Sequence, residues 1–336
     1  MTPSPGASPV AQTLSPVDVR RPSPAPRVDV SVLVPAKDEA ENLPLFMELA
    51  AAAFADSPHS YEVVVIDDGS VDATWSVLQR LAGQYGFLRL ARHRSKRGIA
   101  DALRTGFLAA RGDVLVFYPA DLQFKPEDIP RLVAPILAGD ADMVTGFKEG
   151  KYEKRFVSGI YNALSRVLFH VPVKDLNSVK AYRREVMESL PTRPDWHRYM
   201  VVMAAAQGFN VTEVPVPLYP RNAGKSKFAT WHRIPIGVLD MLAVWFELRF
   251  GQKPLLLFGM AGVGIVAVSG VAGVILLLTN AGVRSIWQVI ETCLVVGSIL
   301  FATGLLGEQI AGQRAQLREI RRQLDELSAE RIKDRE

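Results

Sequence analysis

Two apolar stretches near the C-terminus, Pro254–Thr279 and Ile286–Ala311, are each long enough to cross a bilayer. A hydrocarbon core of roughly 30 Å takes about 20 apolar residues as helix. After Lys253 the first stretch holds no Asp, Glu, Lys or Arg. The second holds Glu291 and Glu308 towards its ends, where a carboxylate reaches the interface. A pair of buried core helices is the rival reading, but soluble domains seldom carry two such runs back to back. The chain is therefore expected to anchor a preceding soluble part through a two-helix membrane hairpin, with spans at about 254–279 and 286–311.

Basic residues mark the cytoplasmic side of a span. Arg249 and Lys253 precede the first stretch, and Arg314, Arg318, Arg321 and Arg322 follow the second, with Arg284 alone between them. Both termini and the soluble part are thus expected in the cytoplasm, in a multi-pass protein of the cell membrane. Residues 1–27 are rich in Pro, Ser and Arg with no apolar core, which reads as a disordered tail rather than a signal peptide. The net charge of +4 suits an anionic membrane surface and is too small to argue for nucleic acid. The one cysteine, Cys293, excludes an intrachain disulfide or a thiolate metal cluster.

Between tail and hairpin, strand-like and helix-like segments alternate. Val30–Pro35, Tyr61–Ile66, Phe87–Ala91, Val114–Tyr118 and Asp142–Gly146 read as strands. Glu39–Phe54, Ala73–Tyr85, Ile99–Ala110 and Glu127–Leu137 read as the intervening helices. That order predicts an α/β domain with a mostly parallel, Rossmann-like sheet wound by helices. In such sheets ligands sit beyond the carboxyl ends of the strands. Those ends are polar here. Lys37, Asp38 and Glu39 follow the first strand, and Asp67, Asp68, Ser70, Asp72 and Thr74 the second. A basic run, Arg92, His93, Arg94, Lys96, Arg97, follows the third, and Pro119-Ala120-Asp121-Leu122-Gln123 the fourth. Acids from three strand ends facing a basic loop suit a ligand with hydroxyls, phosphates and a divalent cation. Singly, each has a plainer explanation in turn chemistry, helix capping or solvated charge.

Other chemistries lack their motifs. No phosphate loop of the form G-x-x-x-x-G-K-[ST], no G-x-G-x-x-G after the first strand and no G-x-S-x-G elbow occurs, and the five histidines are scattered. By contrast, Val32-Leu33-Val34-Pro35-Ala36-Lys37-Asp38-Glu39-Ala40-Glu41-Asn42-Leu43 resembles the opening of family-2 glycosyltransferases. The likeness is strongest to the branch of dolichol-phosphate mannose synthases and bacterial polyprenyl-phosphate glycosyltransferases. Val65-Ile66-Asp67-Asp68-Gly69-Ser70, Arg97-Gly98-Ile99-Ala100-Asp101-Ala102 and Ala120-Asp121-Leu122-Gln123 follow in the branch's order. So do Asp175-Leu176-Asn177-Ser178, Lys180-Ala181-Tyr182-Arg183 and Arg221-Asn222-Ala223-Gly224-Lys225-Ser226-Lys227. The likeness covers roughly residues 30–230, and the paired C-terminal spans are similar to those of bacterial members.

That resemblance implies an A-type glycosyltransferase fold and inverting transfer of a sugar from a nucleotide-diphosphate sugar to a polyprenyl phosphate. By the same likeness, Pro35, Lys37, Glu39, Ile66, Asp68, Ala120, Asp121, Gln123, Lys148 and Lys227 bind the donor. Lys154, Arg155 and Ser158 take the acceptor phosphate, Asp121 and Gln123 hold Mg²⁺ or Mn²⁺, and Asp121, Lys154, Arg155 and Arg221 form the catalytic set. In one departure, Pro119 stands where the branch carries the first acid of Asp-x-Asp. A different membrane glycolipid or polysaccharide as acceptor stays open, as does a non-catalytic scaffold with a degenerate metal motif. Domain limits are expected at 28–227 for the catalytic part, 228–252 for interfacial amphipathic helices, 253–312 for the hairpin and 313–336 for a charged cytoplasmic helix. The 3–4 spacing of Leu317, Ile320, Leu324 and Leu327 suits either a coiled coil in a homo-oligomer or a helix docked on the catalytic part.

Overall fold

The computed structural model describes residues 27–149, 168–169, 173, 175–176, 178–190, 196–220, 222, 233–251, 253–279 and 284–333. Lys154, Arg155, Ser158, Arg221, Lys225 and Lys227 lie outside the described residues, as does the expected tail apart from Arg27.

β-Branched runs supply the centre of the sheet. β1 (Val28–Ala36) lies between β2 (Tyr61–Asp67) and β4 (Gly112–Phe117), parallel to both, and β2 pairs with β3 (Leu88–Arg92), again parallel. Buried on both faces, β2 carries in Val63–Ile66 the continuous apolar run that parallel sheets require. α1 (Leu43–Ala55), α2 (Thr74–Ala82), α3 (Ile99–Ala109) and α4 (Ile129–Leu137) make the crossovers. The expected alternation is therefore present.

The far half was not anticipated. β5 (Met143–Glu149) is separated from β4 by β6 (Lys180–Arg183), which runs antiparallel to both. β7 (Val211–Pro217) closes the edge, parallel to β5, giving the order β3-β2-β1-β4-β6-β5-β7. Pro215 and Pro217 are tolerated in β7 because it is the edge strand. Two further helices, α5 (Arg184–Ser189) and α6 (Trp196–Ala206), follow β6.

Two cores flank the sheet. One gathers Val32, Val34, Phe46, Met47, Leu78 and Ile129. The other gathers Leu33, Ile66, Leu103, Trp196, Tyr199 and Met200, and is completed by Met241 and Val244 of α7 (Arg233–Phe250). That helix therefore docks on the domain by one face. Leu239, Leu242 and Leu248 stay exposed, Leu239 at 66%.

The hairpin follows directly. A π-helical turn, Leu255–Gly259, leads into α8 (Met260–Thr279), and α9 (Arg284–Lys333) returns. Leu255–Thr279 and Ile286–Leu317 are long and apolar enough to span a membrane, and in the most apolar 18-residue window of each only 17% is buried within the molecule. That exposure is the opposite of a core helix. Close packing depends on glycine: a Cβ on Gly262 would lie 2.5 Å from the Gly297 carbonyl oxygen, and one on Gly297 2.8 Å from that of Gly262. Small residues at such crossings let backbones approach. Glu308 accepts the Leu255 amide at 3.3 Å and so caps the first span. α9 continues unbroken past residue 313, so span and charged extension form a single helix.

At the amino end of the sheet, Glu62 ties three elements together. Its carboxylate accepts the Ser31 hydroxyl at 2.6 Å, the Arg111 amide at 2.6 Å and Arg111 Nε at 2.8 Å. Burial would raise the carboxyl, but the Ser31 and Arg111 contacts outweigh it and hold it below its ordinary value. A carboxylate with a depressed folded pKa contributes stability that is complete above its unfolded value and lost as pH falls through the folded one. Glu62→Gln is expected to cost about 3 kcal/mol at neutral pH. It should also weaken the acid dependence of the unfolding midpoint in detergent. Equal acid dependence in variant and parent would contradict this role.

Candidate functional site

The carboxyl ends of β1, β2 and β4 bring their loops to one edge, as expected from the sequence. The loop after β2 is the foundation. Gly69 has φ +67°, and a Cβ there would lie 2.6 Å from the Ser95 carbonyl carbon, so the basic loop packs directly over it. Asp68 gathers that loop: it accepts the Arg97 and Gly98 amides at 2.8 Å each, and His93 Nδ1 sits 2.8 Å from Oδ1. The far nitrogen of His93 pairs with Thr105 Oγ1 at 2.9 Å. Burial would raise Asp68, yet its bonds to His93, Arg97 and Gly98 prevail and hold it below the usual carboxylate range. Beside it, Asp67 accepts the Ser70 amide at 2.8 Å and faces Arg92 Nε at 3.1 Å.

The loop after β1 latches onto this base. Ser70 Oγ accepts the Asp38 amide and Thr74 Oγ1 accepts the Glu39 amide, at 2.9 and 2.8 Å. Lys37 Nζ donates to the Gly69 carbonyl at 2.8 Å and pairs with Asp38 at 3.2 Å. Asp38 has φ +51°, a left-handed conformation that asparagine and aspartate tolerate better than most residues. Glu39 accepts Asn42 Nδ2 at 2.7 Å, and Asn42 in turn accepts Asn222 Nδ2 at 3.1 Å. This latch is why α1 starts at Leu43 rather than Glu39.

After β4, Leu122 takes φ +58°, unusual for a branched apolar residue. Its side chain is buried with Ala120 and Phe124, while Asp121 and Gln123 between them remain partly exposed. Asp121 Oδ1 accepts the Gln123 amide at 3.2 Å, and the Gln123 carbonyl accepts the Tyr219 amide at 2.9 Å. Lys125 lies over the Tyr219 ring, 4.3 Å from its centre. The loop is thereby joined to the chain just ahead of residue 221.

The expected donor residues do not all have the same access. Lys37, Glu39, Asp121 and Gln123 are partly exposed at the edge, and Pro35 is half-buried. Ile66 and Ala120 are buried in the cores, and Asp68 is buried at the base of the basic loop. Lys148 pairs with Asp175 at 3.1 Å. Sequence reasoning passed over His93 as one member of a basic run, although it is the buried one; its neighbours in sequence gave no sign of that. Asp175 and Lys180 were noted only as parts of a motif.

Among the described residues, no three His, Cys, Asp or Glu side chains converge as a metal cluster. Asp121 is a hard oxygen donor at the exposed edge, with the Gln123 amide side chain close behind in sequence. That donor set fits a Mg²⁺-like ion whose remaining ligands come from water and a ligand's phosphates.

Residues 31–187 match the model of Glycosyl transferase family 2. Dodecaprenyl-phosphate galacturonate synthase of Rhizobium johnstonii is 28% identical over 306 residues, covering 86% of this chain and 89% of that protein. Undecaprenyl-phosphate 4-deoxy-4-formamido-L-arabinose transferase of Pseudomonas fluorescens is 29% identical over 241 residues, covering 70% of each. Among solved structures, glucosyl-3-phosphoglycerate synthase from Mycobacterium tuberculosis, in complex with Mn²⁺, UDP and glucosyl-3-phosphoglycerate, shares the fold. Its TM-score is 0.53 at 20% identity, over 66% of this chain and 80% of that one.

Asp68→Ala would leave the Arg97 and Gly98 amides and His93 without their acceptor, at a cost of about 2 kcal/mol or more. Hydrogen exchange at the amides of residues 97 and 98 should accelerate markedly while the sheet stays protected. Unchanged exchange there would contradict the role given to Asp68.

Proposed function

From the family-2 glycosyltransferase domain that this chain carries, we propose a membrane-anchored enzyme that moves a sugar from a nucleotide-diphosphate sugar to a polyprenyl phosphate, with inversion. The observation that carries this reading is the junction between site and membrane. α7 buries Met241 and Val244 against the catalytic core, exposes Leu239, Leu242 and Leu248, and leads straight into two exposed apolar spans. A domain held this way works at the headgroup layer, where the phosphate of a long isoprenoid is presented. The names of the relatives point to the same class of acceptor.

In this reading Pro35, Lys37 and Glu39 line the base and ribose pocket, above Ile66 and Asp68. Asp121 and Gln123 face the diphosphate from the loop that the buried Ala120 anchors, with Lys148 and Lys227 on the donor's charge. Asp121 and Gln123 hold Mg²⁺ or Mn²⁺, whose chemistry is to neutralise charge on the departing nucleoside diphosphate. The acceptor oxygen is anionic at neutral pH, so positioning matters more than a general base. Lys154, Arg155 and Ser158 fix its phosphate, and Arg221 closes on the charge from the following segment. The phosphate oxygen attacks the anomeric carbon as the bond to the diphosphate oxygen breaks, and the electron pair leaves with the nucleotide. The basic residues that flank the two apolar helices support a cytoplasmic side for both termini and the site.

The test incubates purified full-length protein with polyprenyl phosphate, a panel of labelled nucleotide sugars and Mg²⁺ or Mn²⁺, followed by lipid extraction. Label should enter the lipid phase from at least one donor and vanish on chelation. Asp121→Ala should lower the rate by about 10²–10³-fold. No transfer from any donor would overturn the enzymatic reading, and equal labelling of a phosphate-free lipid would overturn the acceptor assignment.

A further inference from the structure

His93 is the one buried member of the basic loop, and the proposed reaction gives it no role. Its amide donates to the Asp67 carbonyl at 2.8 Å, which carries the β2–β3 ladder one residue past Arg92. The ring is 5% exposed, and both of its nitrogens are engaged inside the protein. Nδ1 lies 2.8 Å from Asp68 Oδ1, and Nε2 lies 2.9 Å from Thr105 Oγ1 on α3. An ionised carboxylate can only accept, so Nδ1 carries a proton. Nε2 then accepts the Thr105 hydroxyl in the neutral ring and donates to its oxygen in the charged one, so both contacts hold in either state. Asp68 Oδ1 also accepts the Arg97 amide, and Oδ2 the Gly98 amide. The loop of residues 94–97 is therefore closed at both ends on a single carboxylate. Thr105 braces its start against the helix that follows it.

That loop abuts the site edge. A Cβ on Gly69 would lie 2.6 Å from the Ser95 carbonyl carbon and 2.7 Å from the Lys96 nitrogen, and the Gly69 carbonyl accepts Lys37 Nζ at 2.8 Å. One backbone layer thus separates Lys37 from Ser95 and Lys96. Arg94, Lys96 and Arg97 are exposed on the loop. The two acids beneath it are turned to the protein instead: Asp68 serves His93 and the two amides, and Asp67 serves the Ser70 amide and Arg92. Three cations on four residues repel one another, and a loop without this closure would let them spread into solvent. Holding them together favours an anion at this edge, since a preorganised cluster loses little freedom on binding one.

We propose that His93 is a positioning residue for donor binding: by closing residues 94–97 onto Asp68 and bracing them on Thr105, it holds Arg94, Lys96 and Arg97 to meet the negative charge of a nucleotide-sugar donor. This rests on the transferase reading above. The cations act on donor charge before and during transfer alike. A slackened loop therefore weakens donor binding and raises its KM, and leaves kcat nearly constant. A part in folding alone would do the reverse, lowering the active fraction and with it kcat at an unchanged KM.

The test uses full-length protein in detergent, with the labelled donor that the parent accepts, and compares His93→Phe, Thr105→Val and the double variant with the parent. Phenylalanine keeps the ring without either bond, and valine keeps the shape of threonine without its hydroxyl. His93→Phe should raise the donor KM by about 5–20-fold, with kcat within about twofold and the KM for polyprenyl phosphate unchanged. Thr105→Val should raise the donor KM by about 2–5-fold and add nothing to His93→Phe in the double variant, because the hydroxyl acts only through the ring. Hydrogen exchange at the amides of residues 97 and 98 should quicken in His93→Phe while β1 and β2 stay protected. A parent-like donor KM in His93→Phe would overturn the proposal, as would a fall in kcat at constant KM. Should that variant fail to fold, an unchanged donor KM in Thr105→Val overturns it equally. Absence of transfer by the parent would defeat the transferase reading alone, since exchange at residues 97 and 98 still decides whether His93 closes the loop.

Discussion

The Asp68 carboxylate is the interaction on which the site edge depends. It closes β2, collects the start of α3 through Arg97 and Gly98, and fixes His93 against Thr105. The loop after β1 is then latched to the same base through Ser70 and Thr74. A charged ligand edge has to be held open against its own repulsion and hydration. Here backbone amides and one buried imidazole do that, leaving Lys37, Glu39 and Asp121 at the surface of an otherwise rigid frame. Electrostatic stabilisation of a departing diphosphate depends on this kind of preorganisation.

The sheet and its anchor form one mechanical unit through α7. Met241 and Val244 lock the helix to the catalytic core, and a weak, exposed ion pair between Glu247 and Arg314 at 3.8 Å links it to α9. The Gly262–Gly297 crossing and the Glu308 cap then fix the two spans to each other. A hairpin joined this tightly is fixed to the domain rather than merely tethered to it.

Much of this was legible in the chain. The β1–α1–β2–α2–β3–α3–β4 order follows from strand-like runs such as Val63–Ile66 alternating with helical segments, and the polar strand ends mark the candidate site edge. The spans are evident because nothing charged interrupts Pro254–Thr279. Other features were hidden for physical reasons. β6 has four residues and a central-sheet lysine, so neither length nor apolar pattern marks it as a strand. β7 carries prolines that only an edge position permits. The latch at residues 37–42 uses side chain to backbone bonds from a loop more than 30 positions away, which no local pattern foretells. His93 looked like one member of a solvated basic run and Lys180 like one member of a motif; only tertiary packing buries them.

In the proposed reaction the new bond joins an anomeric carbon to a lipid phosphate. The most direct measurement is the ³¹P and ¹H NMR of the lipid product formed with an active donor. A phosphodiester coupled to an anomeric proton is expected, its configuration opposite to that in the donor. A retained configuration would contradict it, as would a lipid phosphate left as a monoester while nucleoside diphosphate accumulates.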